Sequence, residues 1–113
     1  MNELITESDM KCPCCDKVIL DKVFFVKLRS TRYLCDFPFV IHSGYRCEIH
    51  NREVGSKTIN HILGKAADIR CLDSRDRFLM VKTLMEVGML GIGIGKTFVH
   101  CDINRTLQSI WTY

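Results

Sequence analysis

The chain has 113 residues, of which 47% are hydrophobic and 26% are charged, and its formal net charge is +3 at pH 7. These values are ordinary for a globular protein, and the length suits a single domain over residues 1–113. The small positive charge does not indicate nucleic-acid binding. No apolar run suits a signal peptide or a membrane span, so we expect synthesis in the cytoplasm without a leader and no membrane partner.

The first half of the chain alternates helical and extended patterns. Thr6 and Asp9 have the spacing of a capping box and predict a short helical turn before "KCPCCDK". Apolar spacing predicts a helix over about residues 18–34, which Pro38 ends. The run "FVIHSG" predicts a strand over residues 39–44, and a short helix over residues 48–54 follows, which Gly55 ends.

The second half contains one helix and several short strands. "AADIRC" predicts a strand, and residues 75–87 a helix with Ser74 as its N-cap. One face of this helix carries apolar side chains, namely Phe78, Val81, Leu84 and Met85. Three β-like runs follow, "MLGIGIG", "TFVHCDI" and "SIWTY", which can pair through short connections. The order predicts an α+β domain whose small, mostly antiparallel sheet has helices packed on it.

Two stretches contain residue types that bind zinc. His61 and Asp68 flank small residues, and the carboxylate of Asp68 lies in an apolar strand, where burial requires a cationic partner. His100 and Asp102 are two positions apart on a predicted strand and share a face with Phe98. The opposite face is apolar and suits the core, with Val99, Cys101 and Ile103. His61, Asp68 and His100 would give the three protein ligands of a catalytic zinc. The alternative is a set of solvent-facing side chains.

An arginine follows the strand that ends in Ser-Gly. Arg46 could clamp a carboxylate or a developing oxyanion through its forked donors, or it could be a surface side chain. His42 and His50 have no partner that the sequence identifies, and we expect both to be structural or exposed.

Together these residues form a pattern. The chain resembles the D-alanyl-D-alanine carboxypeptidase family of zinc peptidases over residues 11–113. The resemblance rests on four stretches in this order: "SGYRCEIHNREVG", "HILGKAADI", "GIGIG" and "FVHCDI". The resemblance points most closely to small phage endolysin-like and cell-wall peptidase domains. Similar signatures occur in vancomycin-resistance dipeptidases and in the hedgehog signalling domain.

The resemblance implies roles for individual residues. His61, Asp68 and His100 match the zinc ligands, and Arg46 matches the arginine that binds substrate and steadies the tetrahedral intermediate. The implied reaction is zinc-dependent hydrolysis of peptide bonds in peptidoglycan stem peptides or cross-links. A leaderless enzyme of this kind would reach the cell wall through a phage lysis system or as part of a virion.

The chain departs from the family pattern at two positions. Ile59 stands where many members have a serine, and Thr97 stands where several branches have an acidic general base. Asp102 is the nearest acidic candidate for a catalytic role. It could act as a base through water or orient His100. These departures leave open a catalytically inactive zinc-containing domain that binds the cell wall.

The seven cysteines favour free or metal-bound thiols in a reducing compartment. The resemblance places a cysteine-rich hook at about residues 11–17. Cys12 and Cys15 have the spacing of a zinc-binding pair, with Cys35 or Cys47 available to complete a site. The alternative is a cysteine-tolerant loop, and Cys71 and Cys101 lie in apolar strands that suit the core. A third functional hypothesis is a zinc-ribbon-like interaction module built on the cysteines "CPCC", including Cys14.

Overall fold

The structure, a computed structural model, describes residues 4–113, which contain three α-helices and a five-stranded sheet. A 3₁₀ turn at Glu7–Met10 carries the predicted capping box between Thr6 and Asp9. The helices are α1 (Lys22–Leu34), α2 (Glu48–Glu53) and α3 (Ser74–Glu86). The strands are β1 (Ile41–Ser43), β2 (Ala66–Arg70), β3 (Gly91–Ile94), β4 (Phe98–Asp102) and β5 (Ser109–Thr112). The α+β prediction is confirmed.

Two helix starts differ from the predictions because aspartate side chains cap them. The Asp21 carboxylate accepts a hydrogen bond from the Phe24 amide at 2.9 Å, so α1 begins at Lys22 instead of near residue 18. The Asp73 carboxylate accepts from the Asp76 amide at 3.1 Å, which makes Asp73 the N-cap of α3 in place of the predicted Ser74. In both cases the short acidic side chain satisfies an amide that the first helical turn leaves free.

The strands lie in the order β1-β2-β4-β3-β5. All neighbouring pairs are antiparallel except β3 and β5, which are parallel. The prediction that the last three strands can pair through short connections is confirmed, although β5 pairs with β3 and not with β4, the strand that precedes it in the chain. The link over residues 103–108 carries the chain past β3, so that β5 pairs with the far edge of β3. β1 is also shorter than the predicted strand over residues 39–44.

One face of the sheet packs against α1 and α3 and forms the hydrophobic core. Leu84 is buried there as predicted, whereas Phe78 is 68% exposed and Met85 is 50% exposed. The predicted apolar face of α3 is therefore partly wrong, because the helix is rotated to bury Met80 and Thr83 beside Leu84. The fully buried core residues include Phe24, Leu28, Met80, Leu84, Ile69, Val99 and Cys101. Among the helices within residues 4–113, none is long and apolar enough to cross a membrane.

Candidate metal centre

The other face of the sheet carries a row of polar and aromatic side chains that runs across all five strands, with a glycine at its β3 position. Strand register places Ser43 beside Asp68, Asp68 beside His100, and His100 beside Gly93, which in turn pairs with Trp111. Residues opposite each other in neighbouring strands project to the same face. The period-2 alternation of β4 therefore sends Val99 and Cys101 into the core and His100 into this row.

His61 approaches the row from the loop that precedes β2. Its ring is 3% exposed, and its Nδ1 lies 2.7 Å from the carbonyl oxygen of Gly44. Because a carbonyl only accepts hydrogen bonds, Nδ1 must carry a proton, and Nε2 is the nitrogen available to a metal. Nε2 lies 3.6 Å from Asp68 Oδ1. The fold therefore holds His61 in the tautomer that a metal ligand requires.

His61, Asp68 and His100 present their ligand atoms to one point. These atoms all lie within 4.8 Å of one another, and His100 Nδ1 is 2.9 Å from Asp68 Oδ1. Tetrahedral zinc with bonds of about 2.0–2.1 Å separates its nitrogen and oxygen ligands by roughly 3.3 Å. Separations of 2.9 and 3.6 Å bracket this value. Two imidazoles and a carboxylate thus fit zinc in both chemistry and spacing.

Asp102 lies behind His100 and is fully buried. Its Oδ2 is 2.8 Å from His100 Nε2. Arg105 donates to both carboxylate oxygens, from Nε at 2.9 Å and from Nη2 at 2.8 Å. Asn60 lies 3.5 Å from the same carboxylate and accepts a hydrogen bond from Asn104. The carboxylate is thus engaged by protein donors on both oxygens.

Arg46 is fixed on the opposite side of Asp68. It donates to Ser43 Oγ at 2.9 Å and to Asn51 Oδ1 at 3.3 Å, and its Nη2 lies 3.3 Å from Asp68 Oδ2. The arginine therefore engages one oxygen of Asp68 and leaves Oδ1 to the histidines. A cleft of about 460 Å³ adjoins Arg46 through Asn51 and is lined by Glu48, Asn51, Arg52, Ser56, Ile59, Ile62 and Leu63.

β5 contributes an aromatic wall that the sequence analysis missed. The Trp111 ring lies 5.6 Å from the His100 ring, and the Arg105 guanidinium lies 4.6 Å above Trp111. Glycines in β3 make room for this wall. A Cβ at Gly93 would come within 2.6 Å of the Trp111 ring, and one at Gly91 within 2.5 Å of Arg105. The alternation in "GIGIG" was the available signal, since glycine in a strand marks close approach of another group.

The charged groups of the centre stabilise one another's ionised forms. Burial raises the pKa of Asp68, but hydrogen bonds with His100 and His61 outweigh it and hold that pKa below its usual range. The pKa of Asp102 falls to about 2, because hydrogen bonds with His100 and Arg105 outweigh its burial. Burial alone would lower the pKa of His100, yet its contacts with Asp102 and Asp68 raise it. Without metal, both His100 nitrogens can therefore donate.

The other residues discussed from the sequence lie apart from these ligands. Thr97 is exposed in the turn before β4, and its carbonyl accepts from the Cys71 amide at 2.8 Å. Ile59 is 56% exposed. His42 is exposed on β1, and His50 lies 4.0 Å from Glu53.

The cysteines divide into two groups. Cys71 and Cys101 are buried, as predicted, and Cys35 is also buried, with its thiol 3.7 Å from Thr83 Oγ1. Cys35 is therefore not available to the N-terminal cysteines. A second group forms from Cys12, Cys14 and Cys47. The sequence spacing predicted a pair of Cys12 and Cys15, whereas the structure brings Cys14 close to Cys12.

Comparison with known proteins agrees with this geometry. No curated protein matches the chain significantly. A family model described as Peptidase M15 matches residues 1–102, which include His61, Asp68 and His100. Members of this family are zinc-dependent peptidases of the D-alanyl-D-alanine carboxypeptidase type, as the sequence resemblance indicated. The chain belongs to the peptidase M15 family.

Proposed function

We propose that the protein is a zinc-dependent peptidase that hydrolyses peptide bonds in bacterial peptidoglycan stem peptides or cross-links. The observation that carries the proposal is the convergence of His61, Asp68 and His100 on one point beside a fixed arginine. Zinc held there would polarise a substrate carbonyl and lower the pKa of a water molecule toward about 7.

The chain's own groups prepare this site before substrate arrives. The Gly44 carbonyl fixes the tautomer of His61, and Asp102 accepts from His100 Nε2, which leaves His100 Nδ1 for the metal. We assign Asp102 to positioning and not to general base catalysis. The carboxylate is fully buried, and Arg105 engages both of its oxygens, so it has no free oxygen directed at a substrate water.

Arg46 is the residue we assign to substrate binding. Three hydrogen-bonding partners hold its guanidinium, one of them Asn51, which lines the cleft, so little side-chain freedom is lost when substrate binds. A guanidinium binds carboxylates and developing oxyanions with a forked geometry. The cleft of about 460 Å³ beyond Asn51 would receive the peptide, with Ile59 and Leu63 on its apolar side.

The test is digestion of purified peptidoglycan from several wall types by zinc-loaded protein, followed by mass spectrometry of the soluble muropeptides. We compare wild type with His61→Ala and with His42→Ala, which removes an exposed histidine outside the centre. New fragments should appear with wild type and His42→Ala and be absent with His61→Ala. Wall binding without fragments from any wall type would refute the peptidase proposal and support the inactive wall-binding alternative.

A further inference from the structure

Three cysteine sulfurs form a second cluster, at the N-terminal end of the described chain. Cys12 Sγ lies 3.7 Å from Cys47 Sγ, and Cys47 Sγ lies 3.9 Å from Cys14 Sγ. Cys47 is 35 positions from Cys12 in the sequence, so the fold brings the two thiols together and local spacing does not. None of the three belongs to the His61, Asp68 and His100 group.

The sulfur separations match those of a thiolate metal site. Zinc–sulfur bonds of about 2.3 Å in a tetrahedron separate the sulfurs by roughly 3.8 Å, whereas a disulfide requires about 2.05 Å. The observed 3.7 and 3.9 Å lie on either side of the tetrahedral value. A thiol cluster of this shape binds zinc or another soft divalent metal.

Backbone hydrogen bonds fix the loop that carries the N-terminal cysteines of the cluster. The Cys12 amide donates to the Lys17 carbonyl at 2.8 Å, and the Asp16 amide donates to the Cys12 carbonyl at 2.9 Å. These two bonds close a tight loop in which Asp16 adopts a φ of 59°. On the other side, the His50 amide donates to Cys47 Sγ at 3.4 Å. An amide donor on sulfur stabilises the thiolate that a metal requires.

We propose that Cys12, Cys14 and Cys47 hold a structural zinc ion, with the exposed Cys15 as its fourth ligand. Cys15 follows Cys12 at the Cys-x-x-Cys spacing of structural zinc sites and lies on the same loop. Four thiolates would give the closed coordination of a structural zinc, which leaves no position for substrate.

This second metal would brace the catalytic centre from behind. The N-terminal loop already contacts the segment before Cys47, because the Tyr45 amide donates to the Met10 carbonyl at 2.7 Å. That segment includes Gly44, whose carbonyl fixes the His61 ring, and Arg46. A metal that joins Cys12 to Cys47 would therefore add a second attachment, beside the Tyr45–Met10 hydrogen bond, to the segment that orients His61.

Metal content and cobalt spectra test the proposal, with the protein purified anaerobically under reducing conditions. Wild type should contain two zinc equivalents per chain, and His61→Ala and Cys47→Ser one each. Cys35→Ser removes a buried thiol outside the cluster and should retain both. Cobalt in His61→Ala should give the intense near-ultraviolet band of thiolate coordination, and Cys47→Ser should lose that band.

Thiol footprinting of the wild type provides a measurement that needs no variant to fold. Cys14 and Cys15 are exposed, so an alkylating reagent should modify both in metal-free protein and spare them after zinc is added. A single zinc equivalent lost completely in His61→Ala, with alkylation of Cys14 and Cys15 unchanged by zinc, would overturn the proposal. A Cys12–Cys47 disulfide found by mass spectrometry in the anaerobic preparation would overturn it as well. Either result would leave the peptidase proposal standing, because the first still places a zinc ion at His61 and the second concerns only the thiols.

Discussion

Replacement of Asp102 by asparagine separates a positioning role from general base catalysis. Asparagine keeps the size of the side chain and removes its negative charge. The Asp102 carboxylate accepts from His100 at 2.8 Å and from Arg105 at 2.9 and 2.8 Å. In Asp102→Asn, the side-chain NH₂ group would face at least one of the donors from His100 and Arg105. The acceptor that remains for His100 would at best be a neutral amide oxygen.

The expected effect is on metal affinity. Loss of a carboxylate that orients a ligating histidine weakens metal binding about 10–100-fold. This corresponds to about 1.4–2.7 kcal/mol of binding free energy. The burial of Asp102 and its two-oxygen contact with Arg105 favour the upper part of this range, because the half-buried arginine also loses its anionic partner.

The assay is competition for zinc between the protein and a chromophoric chelator, with peptidase turnover measured separately at saturating zinc. Asp36→Asn is the matched control, because Asp36 forms an exposed pair with Arg75 far from the ligands in the sequence, and its zinc affinity should equal that of wild type. Asp102→Asn should bind zinc more weakly and recover much of its turnover when zinc is saturating. Unchanged zinc affinity with abolished turnover would refute the positioning role and identify Asp102 as the base.

Three further predictions test the electrostatics and the fold. Contacts with Asp102 and Asp68 raise the pKa of His100, so zinc must displace a proton from this side chain below that pKa. Zinc affinity should therefore fall about tenfold per pH unit below the pKa of His100. Competition titrations at several pH values measure the affinity, and an affinity that does not change with pH would contradict the prediction. Gly64→Ala should lower the unfolding free energy by about 2 kcal/mol or more, because its φ is +70° and the new Cβ would clash with the backbone before α1. Gly55→Ala should lower it less, because its φ is also positive, at +76°, but the new Cβ would meet no atom within 4 Å. Leu84→Ala should lower the unfolding free energy by about 2–5 kcal/mol and Met85→Ala by about 0.5 kcal/mol, both measured by urea denaturation. Equal losses would support the sequence-based prediction that both residues lie on the buried face of the helix.

The candidate metal ligands could be predicted from the sequence because, for Asp68 and His100, the signal is local to one strand. His100 alternates with buried Val99 and Cys101, and that alternation alone places it on the face away from the core. Asp68 is exceptional as a carboxylate inside an apolar strand, which indicates a cationic partner. The resemblance to the peptidase family then grouped the ligands, and the family match confirms that resemblance.

The surroundings of the ligands could not be predicted in the same way, because they depend on contacts between distant segments. Trp111 reaches His100 only because β5 passes β3 and pairs with its far edge, and nothing in "SIWTY" specifies that register. The cysteine cluster forms because the N-terminal loop approaches Cys47. The Cys-x-x-Cys spacing of Cys12 and Cys15 gives no information on this contact. The start of α1 was mistaken for a different reason, since the apolar run before Asp21 outweighed the capping signal.

With zinc bound, the charges of the centre would favour an anionic group on the proposed substrate. Asp68 and Asp102 contribute two negative charges, and Arg46 and Arg105 contribute two positive charges, so these four side chains balance with the histidines neutral. Divalent zinc at the ligands would leave the centre with a net positive charge in a partly buried setting, where interactions are screened less than in water. A terminal carboxylate or a developing oxyanion would neutralise that charge at the position where Arg46 is held. The same balance explains why Asp68 and Asp102 are each paired with an arginine: without those pairs, the two carboxylates would repel each other whenever the metal is absent.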